Sequence, residues 1–369
     1  MKMGQVKKSI TALAFIVNKH GDVTKNFYDP QKTGGMASAR IQLLPAIKAA
    51  TELNISTKIL SLHTSHPEEI KEIDSPQACL IGKMSANKDK LVYDMIMANL
   101  SAICRLKNRG SKIVVQFSDF VFSRKDILSS FYRDVFILAD HIIFPSSALQ
   151  KLTLNYIKTK AASSVIHDPW QISKPYAPRQ LNKGETLRAI WFGSNKNVDY
   201  LINCLPGLLK NWKPERNCEF TILGQNYALS EVKNALMKIK GAYPKWTFRM
   251  VPWRNDQQPF QLESEITRAH VALIPSDPSD PQKSGVSHNR LVDAVRGGCI
   301  TVASPMASYR EIPGIALLGD SISELFNNAE ENYDKLSQTL FTHREEKIHQ
   351  FDPEKNKEEW TKFWSKTFE

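Results

Sequence analysis

The sequence predicts an α/β protein of two tandem Rossmann-like doubly wound domains, with a cleft between them and a C-terminal helix packing back. Three observations carry that expectation. The chain has 369 residues, more than one hydrophobic core usually supports, so two domains of ordinary size are expected. Short apolar runs alternate with longer stretches of helical period, the pattern of a parallel sheet with crossover helices. The alternation is interrupted at SKPYAPRQLNKGE, Ser173 to Glu185, where prolines, a glycine and charges read as an exposed connection.

Taken in order, the strand candidates of the first half are Ile10–Val17, Ser56–Leu62, Ala78–Ile81, Lys112–Phe117, His141–Phe144 and Ser164–Ile166. Helical stretches lie between them at Ala37–Leu53, Lys88–Arg109, Ile127–Ala139 and Ser147–Lys158. Beyond the connection, strands are expected near Leu187–Phe192, Glu219–Leu223, Thr247–Val251, Val271–Ile274, Cys299–Val302 and Ile315–Leu318. Helices near Asp199–Asn211, Leu229–Ile239, Glu263–Ala269, His288–Val295 and Ser321–Asn327 fill the gaps. The tail from about Asn332 is helical and charged, and its stripe of Trp360, Phe363, Trp364 and Phe368 suits an anchor packed onto the body. The resulting division is an N-terminal domain over 1–175, a hinge over 176–186, a second domain over 187–345 and a C-terminal helix over 346–369 that crosses back.

Apolar residues make up 42% and charged residues 24%, which excludes a disordered or fibrous chain. Five scattered cysteines without a CxxC pair argue against a disulfide framework or a zinc site, and place the thiols in a reducing cytoplasm. The start, MKMGQVKKSITALAFIVNKHGD, imitates a secretory signal but offers no small-residue cleavage site, so it reads as the first core strand. No run reaches the ~18 apolar residues of a spanning helix. The net charge of +11 is spread along the chain among acidic residues, without a Lys/Arg block. That favours a phosphate-handling cleft over nucleic-acid binding, and leaves room for peripheral contact with an anionic inner membrane face.

In open α/β sheets ligands bind beyond the carboxyl ends of the strands, so the loops there come first. The richest follows Val271–Ser276: DPSDPQKSGVS, a helix HNRLVDAVRGG, then the strand CITVAS. Lys283 stands before a helix whose start is marked by Ser284, Gly285 and Ser287, so an ammonium, free N–H groups and a positive helix end would converge on an anion. Asn289 and Asp293, at i and i+4, share one face, while Leu291, Val292 and Val295 point to the sheet. Asp293 lies roughly 9 Å along the axis from Ser287, a distance that suits a diphosphate at the helix start and a ribose diol at the carboxylate. The competing reading makes Lys283 and Asn289 solvated loop residues and pairs Asp293 with Arg290 or Arg296.

The stretch VALIPSDPSDPQKSGVSHNRLVDAVRGGCITVAS resembles the donor-site motif of retaining GT-B glycosyltransferases of the family 4, group 1 type. There a strand ending in Pro-Ser leads to a glycine-bearing loop, a helix and G-x-x-V-A-S. The family motif holds two glutamates with seven residues between them. Asp293 matches the second, which in the family binds the ribose hydroxyls; the first falls on Gly285, where this chain departs from the pattern. Lys283 and Ser287 are the nearest replacements.

The resemblance extends more loosely along the chain. RAIWFGSNKNVDYL looks like the first strand and loop of the family's donor domain and carries over Gly193, Ser194 and Lys196 as diphosphate neighbours. The loop at the strand end VPWRND commonly frames the base in the family, which nominates Trp253 and Arg254, with a core or rim tryptophan as the alternative. KTGGMASAR is similar to the Gly-Gly loop that faces the donor diphosphate, so Gly34 and Gly35 are carried over; paired glycines also mark plain turns. Asp119, in FSDFVF, is a candidate general base or acceptor ligand, with capping or pairing to Arg124 as the alternative. His63 and His141 are candidates for a cleft histidine by proximity to strand ends.

The resemblance implies a glycosyltransferase that moves a sugar from a UDP- or GDP-sugar to an acceptor hydroxyl of a carbohydrate or glycolipid, with retention, in glycan synthesis. It would need no cofactor and no metal, since no DxD motif stands in a suitable place. Lys283, Lys196 and the helix start would stabilise the departing diphosphate, and closure about Ser173–Glu185 would exclude water. A nucleotide-sugar epimerase and a catalytically degenerate binding subunit fit the same pattern.

Overall fold

The computed structural model describes residues 8–14, 39–61, 76–84, 90–239, 243–342 and 344–369. The chain forms two compact units: Met1–Pro169 with Gly285–Ser287 and Phe351–Glu369, and Trp170–Ser284 with His288–Gln350.

The first unit carries a six-stranded parallel sheet in the order β2-β1-β3-β4-β5-β6. Its strands are β1 (Ser9–Ala14), β2 (Ser56–Ser61), β3 (Ala78–Ile81), β4 (Lys112–Gln116), β5 (His141–Phe144) and β6 (Ala162–Val165). The middle strand β3, ACLI, is buried along its whole length, as a parallel sheet covered on both faces requires. The helices α1 (Leu44–Glu52), α2 (Lys90–Asn108), α3 (Ile127–Leu138) and α4 (Ser147–Tyr156) make the crossovers. Two of them start on side-chain caps: Asp126 accepts from the Ser129 N–H and Ser146 from the Leu149 N–H. The strand order reverses between β1 and β3, the switch point of this unit.

The second unit repeats the plan with the order β12-β11-β10-β7-β8-β9, again wholly parallel. The strands are β7 (Leu187–Gly193), β8 (Cys218–Gly224), β9 (Trp246–Pro252), β10 (Val271–Ile274), β11 (Ile300–Ala303) and β12 (Leu317–Leu318). Helices α5 (Val198–Lys210), α6 (Asn226–Lys238), α7 (Phe260–Ile266), α8 (Pro281–Ser284), α9 (Asn289–Arg296), α10 (Ile322–Glu331), α11 (Tyr333–Phe341) and α12 (Arg344–Ile348) surround it. Here the order reverses between β7 and β10, which pair in parallel through Val271 with Ala189.

The last helix, α13 (Pro353–Thr367), belongs to the first unit and is capped by Asp352, with Pro353 at its first position. Trp360 and Trp364 are buried with Ile10, Ala46 and Ile47, and the Trp364 indole donates to the Ala46 carbonyl at 2.9 Å. That satisfies the one polar atom of a ring otherwise suited to a core. The aromatic stripe of the tail is an anchor.

Most strand expectations hold within two residues. β6 begins earlier than expected and β12 is only Leu317–Leu318. The four-residue α8 was not expected; its one turn places Lys283 within a helix of its own, and α9 begins later, at Asn289. The expected exposed connection is fastened along its length. Ser173 donates its N–H and hydroxyl to Glu263, Tyr176 donates its hydroxyl to the same carboxylate at 2.7 Å, and Tyr333 donates to the Arg179 carbonyl at 2.9 Å. Gly34, Gly35 and His63 lie outside the described residues. Among the described residues no helix is long and apolar enough to cross a membrane.

Candidate functional site

The carboxyl ends of β7 and β10 flank the switch point of the second unit. β7 ends at Gly193, and the chain turns through Ser194 and a single 3-10 turn, Asn195–Asn197, into α5. Ser194 and Lys196 are exposed there. β10 ends before Pro275, and its loop runs through α8. Two side-chain contacts join the loops: the Lys283 ammonium donates to Asn197 Oδ1 at 2.7 Å, and the Tyr200 hydroxyl donates to Asp280 Oδ2 at 3.0 Å. Lys283 also lies over the Tyr200 ring, 5.5 Å from its centre. Burial, then the hydrogen bond to Asp280, pushes the Tyr200 hydroxyl up to about 12, so it stays a neutral donor. The structure thus brings Lys283 to the loop that carries Ser194 and Lys196, although the two lysines are 87 positions apart in sequence.

Trp253 follows β9 and reaches the same place. Its N–H donates to the Gly224 carbonyl at 2.9 Å and its indole to the Gly193 carbonyl at 3.2 Å. These bonds fix the half-buried ring at the ends of β7 and β8. Arg254 is exposed beside it, held through its backbone N–H by Gln261.

Sequence reasoning passed over Arg290 as a site residue. It is the second residue of α9, and its guanidinium lies over Trp191 and Phe192, 5.7 and 5.6 Å from the ring centres. A Cβ at Gly193 would stand 3.6 Å from its Cζ. A charge next to Leu291 and Val292, the residues that face the sheet, was the signal that could have found it.

Asp293, on the same helix, is already engaged. It is 1% exposed, and its two oxygens accept the Gln171 N–H and side-chain amide, at 2.7 and 2.9 Å. Neither arginine proposed as its partner pairs with it: Arg296 donates to Glu345 and to the Ile172 carbonyl and stacks on Trp170, with Cζ 3.7 Å from the ring centre. Asn289 opens α9 one turn before Asp293.

Gly285 and Ser287 group with the first unit. A Cβ on Gly285 would come within 2.6 Å of Leu149 Cα and 2.9 Å of its nitrogen. The Gly285 carbonyl accepts the Ser146 hydroxyl at 2.9 Å. Backbone cannot retreat as a side chain can, so no side chain fits at this position. The absence of the family's first glutamate is therefore built into the packing.

In the first unit Asp119 stands beyond the carboxyl end of β4 and pairs with Lys83, which follows β3, at 2.7 Å. The expected Arg124 partner instead bonds Asp126. Lys83 was not singled out in the sequence because its neighbours carry no phosphate-loop or carboxylate motif. His141 opens β5, at the amino end of the sheet, where it bonds Ser164 Oγ at 2.9 Å and meets the edge of Phe363. A histidine there is remote from the strand ends that hold ligands, and that candidate is withdrawn. Among the described residues no three His, Cys, Asp or Glu side chains converge as metal ligands.

Comparison with known proteins gives a likeness in structure alone. No family model and no curated protein matches the chain. Among solved structures, Anabaena HepE in complex with UDP and glucose aligns over 96% of this chain and 99% of its own, with a TM-score of 0.63 at 14% identity. A glycosyltransferase from Rickettsia africae aligns over 98% and 99%, at 0.61 and 11% identity. Sucrose-phosphate synthase from Thermosynechococcus elongatus aligns over the same shares, at 0.60 and 11% identity. The chain has the GT-B fold of two Rossmann-like domains.

Proposed function

We propose that the protein is a glycosyltransferase that takes a nucleoside-diphosphate sugar on its second unit and transfers the sugar to an acceptor hydroxyl. The observation that carries this reading is the junction of Lys283 with the loop after β7. An ammonium, an exposed Lys196 and a strand-to-helix turn stand together at the switch point. HepE, of similar fold, was solved with UDP and with UDP and glucose.

The diphosphate would lie at Gly193, Ser194 and Lys196, with Lys283 neutralising charge as the bond to the sugar breaks. Trp253, fixed by two backbone carbonyls, offers a flat edge to the base, with Arg254 beside it. Ser287 and Asn289 flank the start of α9. Gly34 and Gly35 would approach the donor from the first unit, which would hold a carbohydrate or glycolipid acceptor with Asp119 as its ligand or base. Asp293 keeps its place in the site as the residue that holds Gln171; a ribose contact would need those bonds to open. Transfer with retention, by charge stabilisation without a resident cofactor or metal, and a soluble protein meeting an anionic membrane surface only at its periphery complete the reading.

A panel of UDP- and GDP-sugars, read by thermal shift and by release of free sugar, tests it. Bound donor raises the melting temperature by mass action. One nucleotide family should stand out and its sugar should be released or transferred. A folded protein that responds to no nucleoside diphosphate rules the reading out.

A further inference from the structure

Among the described residues, two nitrogens of the Arg290 guanidinium, Nε and Nη2, have no hydrogen-bond partner, and neither touches solvent. These two belong to one edge of the group, the fork that meets two oxygens of a phosphate or carboxylate at once. Among the described residues no acid fills it. Asp293, on the same helix, gives both oxygens to Gln171, and Glu311 lies 3.1 Å from His288. Burial works against the charge. Arginine does not shed its proton in proteins, so the charge stays and the rings of Trp191 and Phe192 offset only part of its desolvation. The residue keeps part of its surface open, and Gly193 offers no Cβ beside it, so rotation of the terminal torsions can present the fork at the end of β7.

We propose that Arg290 is the oxyanion clamp of the second unit, its Nε–Nη2 edge gripping two oxygens of one phosphate group at the end of β7. The identity of that phosphate, as part of a nucleoside diphosphate, rests on the function proposed above. The clamp itself requires only a tetrahedral oxyanion. In ligand-free protein the same fork is a buried, unpaired charge, so the residue lowers stability until the anion arrives. A purely structural arginine would do the reverse.

The full-length protein, Arg290→Met and Arg290→Lys are titrated with UDP and with inorganic pyrophosphate by calorimetry, and the ligand-free melting temperatures are recorded. Arg290→Met should bind both ligands about a hundredfold more weakly and melt at a higher temperature without ligand. Arg290→Lys keeps the charge but loses the fork, and should bind roughly tenfold more weakly. Wild-type affinity in a folded Arg290→Met overturns the clamp and leaves the nucleotide-sugar reading standing. If that variant does not fold, unchanged affinity in Arg290→Lys overturns it instead. Pyrophosphate binding that depends on Arg290, with UDP no tighter, supports the clamp and overturns the nucleotide reading. Binding of neither ligand by wild type overturns both.

Discussion

The carboxylate of Asp293 grips Gln171 twice, once at the backbone N–H and once at the side-chain amide. A motif position expected to receive a ribose instead ties the chain entering the second unit to α9. Hydrogen bonds from a buried carboxylate are among the stronger ones, and removing the acceptor leaves a backbone N–H unsatisfied. Asp293→Ala should therefore lower stability by about 2–3 kcal/mol. Asp293→Asn, which retains one acceptor oxygen, should lose less. Urea unfolding measures both. A destabilisation below about 0.5 kcal/mol in Asp293→Ala would show that these bonds hold nothing in place.

At Gly285 the question is whether the missing acid can be restored. Any side chain there meets Leu149 backbone within 3 Å, and relief requires that α4 or the loop move. Gly285→Glu should cost roughly 2 kcal/mol or more through overpacking and give no gain in donor turnover. Gly285→Ala should already show most of the stability loss. Turnover that rises in a folded Gly285→Glu would mean that the loop yields, contrary to this geometry.

The alternation of apolar strand and helical period was legible because parallel sheets impose it locally, residue by residue. Trp360 and Trp364 were legible as an anchor for the same reason: large rings at helical spacing have to be buried. One strictly local departure was not. α8 forms from Pro281–Ser284, where Asp280 accepts N–H bonds from Gln282 and Ser284, a turn no periodicity announces. The site was half legible. Lys283 and Gly193 could be found from strand ends and helix starts, whereas Arg290 and the Lys83–Asp119 pair arise from long-range packing. Asp293 shows what spacing alone does not reveal: Gln171, 122 positions away, occupies both of its oxygens in the ligand-free chain.

Lys283 joins the loops after β7 and β10, so its replacement should affect both charge and loop position. Lys283→Met should weaken binding of a nucleoside diphosphate by roughly tenfold to a hundredfold, with a shallower dependence on salt. Tyr200→Phe removes only the bond to Asp280 and should have a smaller effect on affinity. Calorimetry at two ionic strengths separates the contributions. Equal losses in the two variants would assign Lys283 to holding the loop and leave it no direct contact with the anion.

His270 gives the protein a built-in sensitivity to acid. Its side chain is fully buried, its Nδ1 accepts the Arg188 N–H at 2.9 Å, and its Nε2 donates to the Gln180 carbonyl at 3.3 Å. That pattern needs the neutral ring, and burial drives the imidazole down to about 4 against the upward pull of Glu185. In the unfolded chain the group titrates near ~6.5, so below that pH the unfolded state binds a proton that the folded state refuses. The stability contributed by neutral His270 is thus fully present above about pH 6.5 and is lost as pH falls towards about 4, with a slope of at most ~1.4 kcal/mol per pH unit. Over the whole interval the loss should reach roughly 2–3 kcal/mol. His270→Gln can still accept from Arg188 but cannot titrate, so its unfolding free energy should vary less with pH. Urea unfolding of both proteins from about pH 7.5 down to about pH 4.5 makes the comparison. Parallel curves for wild type and variant would assign the acid sensitivity to other groups.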